Sequence, residues 1–151
     1  MLDDSDAHAF KGMLYGMTNR NSAAASALWG FWDSARINET VAVGWWEDDS
    51  PVTVAPGTCP TSPDGVLATA YVAYGSHAVV VLASYCTSGT AHATGISLDF
   101  DALGIAASGA VVTAPAIPHV QGALGPFNAA AIVVDLTTTG GIILTVTGAA
   151  M

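Results

Sequence analysis

Apolar residues recur at helical spacing in one segment near the beginning of the chain. Over residues 22–37 the sequence SAAASALWGFWDSARI is rich in strong helix formers, and apolar side chains recur at i, i+3, i+4 and i+7. Asn21 and Ser22 are both suitable N-caps, and Asn38 can adopt the left-handed conformation that ends many helices. We therefore predict one amphipathic helix of about four turns. Its apolar face comprises Leu28, Phe31, Trp32 and Ala35.

After Thr40 the pattern changes to short β-branched runs separated by Gly, Pro, Ser and Asp. Seven such runs occur, with no helix between them long enough to connect parallel strands. Because antiparallel sheets must bury their apolar faces against each other, we predict a mainly β fold, an antiparallel β-sandwich preceded by a short helical N-terminal segment. DALGIAAS, from Asp101 on, predicts a single helical turn among the strands. The runs are VAVGWWE, VLATAYVAY, HAVVVLASY, ATGISLDF, GAVVTAP, AAIVVDLT and GIILTVT.

Charged residues are concentrated in the first third of the chain. Eleven of the fifteen lie within the first 49 residues, and the last hundred residues contain no Lys or Arg. Together with the change of pattern, this predicts a helical lead-in segment over residues 1–39 and a β-sandwich domain over residues 40–151. A hydrophobic content of 52% excludes a disordered protein. A net charge of -9 without a basic stripe excludes a nucleic-acid partner.

One long uncharged stretch, residues 66–85, needs to be distinguished from a transmembrane helix. Its 20 residues, VLATAYVAYGSHAVVVLASY, reach the length of a spanning helix. Val and Tyr are frequent in it, however, and Gly75, Ser76 and His77 stand at its centre. Two apolar runs around a Gly-Ser pair predict a β-hairpin with a type II′ turn. We therefore expect a protein that does not span a membrane.

Cysteine and glycosylation signals bear on the compartment of the protein. Cys59 and Cys86 each lie beside a predicted turn, and their spacing is not one that metal sites use, which leaves a disulfide or two free thiols. Asn38-Glu39-Thr40 is a glycosylation sequon at an exposed junction between helix and strand. Together these features favour a Cys59–Cys86 disulfide, a glycan on Asn38 and an extracytoplasmic or secreted location. The acidic start, MLDDSDAH, is no signal peptide, so we expect the entry signal to be missing or to lie upstream.

No arrangement of residue types in the sequence indicates catalysis or a cofactor. The acids cluster in two segments that we expect to be solvated turns; the alternative, for closely spaced oxygen ligands, is a weak calcium site. The four histidines are scattered singly, and there is no G-x-S-x-G or phosphate-binding motif. We therefore expect no enzyme activity, no bound metal and no cofactor. The acidic clusters are Asp3, Asp4 and Asp6, and Glu47, Asp48 and Asp49, of which the second holds the calcium candidates.

Trp45 and Trp46 are the remaining candidates for a functional role. Adjacent residues on a strand point to opposite faces, so we expect one ring in the core and the other facing out or meeting the N-terminal helix. An exposed tryptophan beside acidic residues is a way to bind a sugar, by stacking on a pyranose ring. Packing against the helix is the favoured alternative, because Trp29 and Trp32 also need a partner.

Several segments together resemble a known family. KGMLYGMTNR, ALWGFWDSARI and VGWWEDDSPV follow one another as they do at the C-terminal end of a family of large glycoside-hydrolase-like proteins, in which a TIM-type barrel is followed by an all-β domain. The resemblance implies the end of a barrel and an accessory β-domain, in a fragment or a shortened relative. The catalytic barrel is absent, so no catalytic residue can be assigned. The matching positions are residues 14–20, 32–33, 44–46, 48–51, 66–85, 99–105 and 114–117.

Three functions remain open on these grounds. The main prediction is a noncatalytic β-sandwich accessory domain of a glycoside-hydrolase-like protein, with a structural or carbohydrate-associated role. The alternative is an interaction or structural subunit of a larger extracytoplasmic assembly, since a surface of small residues with almost no charge is easily desolvated. An enzyme in its own right is the third. We accordingly expect a carbohydrate or protein partner, with oligomerisation as one form of the latter.

Overall fold

Two antiparallel β-sheets and three short α-helices make up the residues that the computed structural model describes, which are 7–17, 23–55, 65–86, 92–136 and 140–151. The prediction of a mainly β, antiparallel sandwich with a short helical N-terminal segment is confirmed. The helices are α1 (Ala7–Met13), α2 (Ala23–Ser34) and α3 (Phe100–Leu103), and a 3-10 turn covers Ile37–Glu39. The strands are β1 (Val41–Val43), β2 (Val52–Val54), β3 (Val66–Ala73), β4 (His77–Ser84), β5 (His92–Leu98), β6 (Val111–Ala114), β7 (Leu124–Phe127), β8 (Ile132–Leu136) and β9 (Gly141–Thr147).

The strands form one large and one small sheet. The large sheet has the order β1-β3-β4-β9-β6-β7 and the small sheet the order β2-β5-β8, and neighbouring strands are antiparallel. Two of these strands, β2 and β7, lie outside the seven runs expected from the sequence. β2 stands between Pro51 and Pro56, which separate it from the predicted runs, and β7 contains Pro126, which cannot donate a ladder hydrogen bond.

The central strands of the large sheet are buried on both faces. Successive side chains of a strand alternate between the faces, so Val80 and Leu82 of β4 belong to the inner core, between the two sheets, while Val79 and Val81 belong to the outer core, beneath the helices. A strand covered on both sides has no polar face, which explains the resemblance of residues 66–85 to a membrane span. In the described part of the chain, no helix is long and apolar enough to cross a membrane.

The hairpin of β3 and β4 is confirmed, but its turn differs from the predicted type II′ form. Ala73 pairs with His77, so three residues lie between the strands instead of two. The Ser76 N–H donates to the Ala73 carbonyl at 3.0 Å, and this places Gly75, with φ of 72°, at the third position of the turn. A type II′ turn requires the positive φ one position earlier. The Gly75 N–H also donates to the carbonyl of Leu103 at 3.0 Å, which ties the turn to α3.

The predicted amphipathic face of α2 is confirmed. Leu28 is completely buried, and Phe31, Trp32 and Ala35 pack against the outer core. The ring of Trp32 lies 6.5 Å from that of Tyr71 on β3. The partner surface that this apolar helix requires is therefore the outer face of the large sheet.

The end of α2 differs from the prediction. Arg36, not Asn38, adopts the left-handed conformation, with φ of 53° and ψ of 44°. Asn38 lies in the 3-10 turn that follows, because the chain continues in a helical sense for three more residues before β1. The two predicted N-caps, Asn21 and Ser22, lie outside the described residues.

Two hydroxyl groups of β3 form hydrogen bonds with the end of α1 on the outer face of the large sheet. Thr69 Oγ1 donates to the Leu14 carbonyl at 2.9 Å, and the Tyr71 hydroxyl donates to the Met13 carbonyl. Both side chains are buried, and burial raises the pKa of the Tyr71 phenol above its ordinary value. These bonds give side-chain donors to two carbonyls at the end of α1, of which that of Met13 also accepts from the Gly16 N–H at 3.2 Å. α1 is thus packed on the sandwich, and the division of the chain at residue 39 stays a prediction.

Candidate functional site

Trp45 and Trp46 lie in a turn after β1 and are both exposed, with 42% and 55% of their surface accessible. The expectation that one of the rings enters the core is wrong. The alternation of a strand does not apply here, because β1 ends at Val43 and the chain turns at once, with the Glu47 N–H donating to the Gly44 carbonyl at 3.0 Å.

Tyr15, which follows α1, joins the two tryptophans in an aromatic cluster. The rings of Tyr15 and Trp46 stack at 5.8 Å with 8° between their planes, and Trp45 meets Trp46 edge-on at 5.8 Å and 85°. These are the favoured geometries of aromatic pairs. We call Tyr15, Trp45 and Trp46 the aromatic cluster.

Gly44 is required for this arrangement. A Cβ at Gly44 would lie 2.4 Å from the indole of Trp46, since that ring folds back over the glycine backbone. Tyr15 could not be found from the sequence, because it lies thirty-one positions from Trp46 and only the folded chain brings the two together. In the sequence, only the Gly-Trp-Trp string indicated the aromatic cluster.

The acidic residues of the same turn support its geometry. Glu47 Oε1 accepts a hydrogen bond from the Gly44 N–H at 2.9 Å, and Asp48 and Asp49 are exposed. Within the described residues, no group of three His, Cys, Asp or Glu side chains could hold a metal ion. The calcium role of Glu47, Asp48 and Asp49 has no further support and stays a prediction, while their place in a solvated turn agrees with the expectation.

The predicted modification sites are only partly described. Asn38 is exposed in the 3-10 turn, and Thr40 Oγ1 donates to the Ile37 carbonyl at 2.7 Å. Cys86 is buried just after β4, whereas Cys59 lies outside the described residues. The glycan and the Cys59–Cys86 disulfide therefore stay predictions.

A concave region that the sequence did not indicate opens between the end of α2, the turn of the β3–β4 hairpin and β9. It is open to solvent and has a volume of about 450 Å³. His77, expected as a strand or turn residue, is the first residue of β4, and its Nε2 donates to the Ala35 carbonyl at 2.9 Å. Arg36 at the rim forms a salt bridge with Glu39, and this hydrogen-bonded carboxylate raises the pKa of the guanidinium. We call this region the α2 pocket.

Two packed antiparallel sheets with helices on one outer face define this protein as a β-sandwich domain. The chain matches the family model of the glycoside hydrolase 123 C-terminal domain over residues 24–147. The match covers most of the chain, so the chain belongs to this family. No curated protein matches it.

The family match confirms the resemblance to the C-terminal region of a glycoside-hydrolase-like protein. The matched residues include Trp32, Asp33 and the Gly-Trp-Trp turn, but not the string at residues 14–20. The matched family is a C-terminal domain of glycoside hydrolases and does not include a catalytic domain. Tyr15 and α1 precede the matched residues, although α1 packs against the outer core and Tyr15 stacks on Trp46.

Proposed function

We propose that this chain acts as a noncatalytic accessory domain of a glycoside hydrolase 123 protein and that its aromatic cluster contacts carbohydrate. The single observation that carries the proposal is the exposed, mutually packed trio of Tyr15, Trp45 and Trp46. The family match supplies the context.

The cluster has the properties that stacking on a sugar requires. Tyr15 gives one face to Trp46, whose ring also covers Gly44, and both side chains of the stacked pair keep about half of their surface exposed, at 49% and 55%. The rings hold one another in place, so little side-chain freedom is lost when a pyranose ring packs on them. The phenol and indole groups also supply hydrogen-bond donors at the edge of the platform.

Affinity electrophoresis in gels that contain soluble polysaccharides tests this role. We expect a retarded parent protein and a Trp46→Ala variant that migrates as in a gel without polysaccharide. Trp29→Ala is the matched control, because Trp29 is similarly exposed at 47% but lies on α2. If Trp46→Ala and the parent were retarded equally, the aromatic cluster would not be the contact.

The arrangement of the described carboxylates supports the noncatalytic part of the proposal. Glycoside hydrolysis needs two carboxyl groups that face each other across the scissile bond. In the described residues the acids are dispersed or lie in exposed turns, as Glu47, Asp48 and Asp49 do. We expect no release of nitrophenol from aryl glycosides by the purified chain, and sustained turnover that survives repurification would contradict the proposal.

The alternative function is that of an interaction subunit in a larger extracytoplasmic assembly. Exposed apolar side chains on several strands favour it, among them Val41, Val111, Leu124 and Val133, on a surface with few charges to desolvate. Sedimentation of the purified protein separates the two functions. A monomer whose melting temperature rises with oligosaccharides supports the accessory role, and an oligomer indifferent to them supports the assembly role.

The extracytoplasmic location is tied to the cysteines, since disulfides persist in oxidising compartments. We expect neither thiol of the unreduced, denatured protein to react with an alkylating reagent, and both to react after reduction. Alkylation of Cys59 and Cys86 without reduction would contradict the predicted disulfide. It would also remove the main support for an extracytoplasmic location.

A further inference from the structure

We propose that the α2 pocket binds one neutral sugar residue. This inference deepens the proposed carbohydrate association and rests on it, but it concerns a different surface from the aromatic cluster. None of the residues that line the α2 pocket belongs to the cluster.

The lining of the pocket suits a small polyhydroxylated ligand. Phe31, Ala35 and Val79 supply apolar surface, and four hydroxyl side chains surround it. Its volume of about 450 Å³ lies in the range of small-molecule sites, which have apolar walls and a few polar groups. The hydroxyl side chains are Ser34, Ser76, Thr145 and Thr147.

The charge of the pocket is balanced. Nε and Nη2 of Arg36 donate to the carboxylate of Glu39, and the remaining guanidinium N–H groups can bind a ligand. Because Glu39 neutralises Arg36 and the whole chain carries a net charge of -9, an anionic ligand gains little there. A neutral sugar, which needs donors and acceptors side by side, matches an arginine–glutamate pair better than a carboxylate or sulfate does.

The backbone conformation of Arg36 gives an independent indication. Arg36 occupies the left-handed position after α2, with φ of 53°, where glycine is the usual residue. A side chain costs conformational energy at this φ, and residues held in such conformations are often found at binding sites. Glycine would end the helix with less strain, so we assign the arginine at this position to ligand binding.

His77 keeps the two sides of the pocket together. Its Nε2 donates to the Ala35 carbonyl at 2.9 Å, so Nδ1 is left to accept from Ser76 Oγ at 3.2 Å. These bonds join the end of α2 to the turn of the β3–β4 hairpin. The pocket is thereby preformed, which lowers the entropic cost of binding.

A titration of the full chain, followed by the backbone amide signals in two-dimensional NMR, tests the proposal. The probes are methyl β-D-glucopyranoside and methyl β-D-galactopyranoside, with glucuronate as the anionic comparison. We expect saturable shifts of the Ser34, Ser76 and Thr147 amides with at least one neutral probe, and weaker binding of glucuronate.

Arg36→Gly is the decisive variant, because glycine fits the backbone conformation and the fold is expected to persist. We expect its affinity for the neutral probe to fall about tenfold, as for the loss of one hydrogen bond to a charged group, while the melting temperature is kept or raised. Thr53→Ala, on an exposed position of β2, is the control and should bind like the parent.

Three results would overturn the proposal. They are the absence of saturable shifts at the pocket amides, unchanged affinity in Arg36→Gly, and tighter binding of glucuronate than of both neutral probes. Shifts confined to Trp45 and Trp46 would overturn the pocket and leave the proposed function intact. The remaining combination is that the pocket amides of Trp46→Ala still shift with the neutral probe, while the parent is not retarded in polysaccharide gels. This result would support sugar binding by the α2 pocket and contradict sugar binding by the aromatic cluster.

Discussion

The two faces of the large sheet are covered in different ways. On the inner face, Val80, Leu82 and Leu144 belong to a core of apolar side chains shared with the small sheet. On the outer face, β3 contributes Thr69 and Tyr71, whose hydroxyl groups donate to carbonyls at the end of α1. The inner contact depends on the volume of apolar side chains, and the outer contact combines apolar packing with directed hydrogen bonds.

This difference shows why a short helix can have a fixed position. α1 has seven residues, and an isolated helix of that length is not stable in water. Apolar packing has no direction, whereas a hydrogen bond fixes the place of its donor relative to its acceptor. We infer that the hydroxyl groups of β3 determine where α1 ends, and so where Tyr15 meets Trp46 in the aromatic cluster.

Truncation of the inner core should have the largest effect. Leu82 is completely buried, so Leu82→Ala should lower the free energy of unfolding by about 2–5 kcal/mol in urea denaturation. Leu124→Ala, at a position 57% exposed, is the matched control and should stay within about 0.5 kcal/mol of the parent. Equal losses at the two leucines would mean that the inner core is not where the described contacts place it.

A Thr→Val substitution on the outer face should have the next largest effect on stability. Thr69→Val removes the hydroxyl that donates to the Leu14 carbonyl and should destabilise the fold by about 1–3 kcal/mol, because a buried acceptor loses its donor. Urea denaturation gives the value, and Thr53→Val on exposed β2 serves as control. An unchanged stability would show that α1 is held by apolar contacts alone.

The same substitution on the small sheet, at a position buried in the sandwich, should have the opposite sign. Thr94 of β5 is completely buried, and among the described residues its Oγ1 has no hydrogen-bond partner. Thr94→Val should therefore raise the free energy of unfolding by about 1 kcal/mol, since an unsatisfied hydroxyl is replaced by a methyl group of similar shape. A loss of stability would point to a partner for Thr94 and weaken the contrast between the faces.

The smallest expected effect is a change in the pH dependence of stability. Burial raises the pKa of Tyr71 in the folded chain above the value of about 10 in the unfolded chain. The folded state thus holds the phenol proton more tightly, and this contribution to stability is complete below that pH and is lost as pH rises through the folded-state pKa. Tyr71→Phe should flatten the decline of stability above about pH 10. If the free energy of unfolding depended on pH in the same way in the variant and the parent, the raised pKa of Tyr71 would be contradicted.

Periodicity predicted those parts of the fold that depend on the burial of a repeated face. The apolar face of α2 and the hairpin at residues 66–85 were found because many residues contribute to each pattern. β2 was not predicted because its three residues stand between Pro51 and Pro56, and β7 was not predicted because it contains Gly and Pro and no β-branched residue. The left-handed Arg36 was missed because sequence preference favoured Asn38, which lies instead in the 3-10 turn after α2.

The candidate sites were only partly accessible to the sequence. Trp45 and Trp46 were identified as residues of interest, but their conformation depends on a turn at Gly44 and on Tyr15, a contact across the fold. The α2 pocket joins side chains from α2 and β9, which are more than a hundred positions apart. A local sequence motif cannot indicate a site whose residues are so far apart in the chain.

The central claim is that this domain contacts carbohydrate through Tyr15, Trp45 and Trp46, and tryptophan fluorescence during an oligosaccharide titration tests it most directly. The account predicts a saturable change in emission for the parent and for Trp29→Ala, and none for a Trp45→Ala, Trp46→Ala double variant that retains the far-UV circular dichroism of the parent. An equal saturable change in that double variant would contradict it.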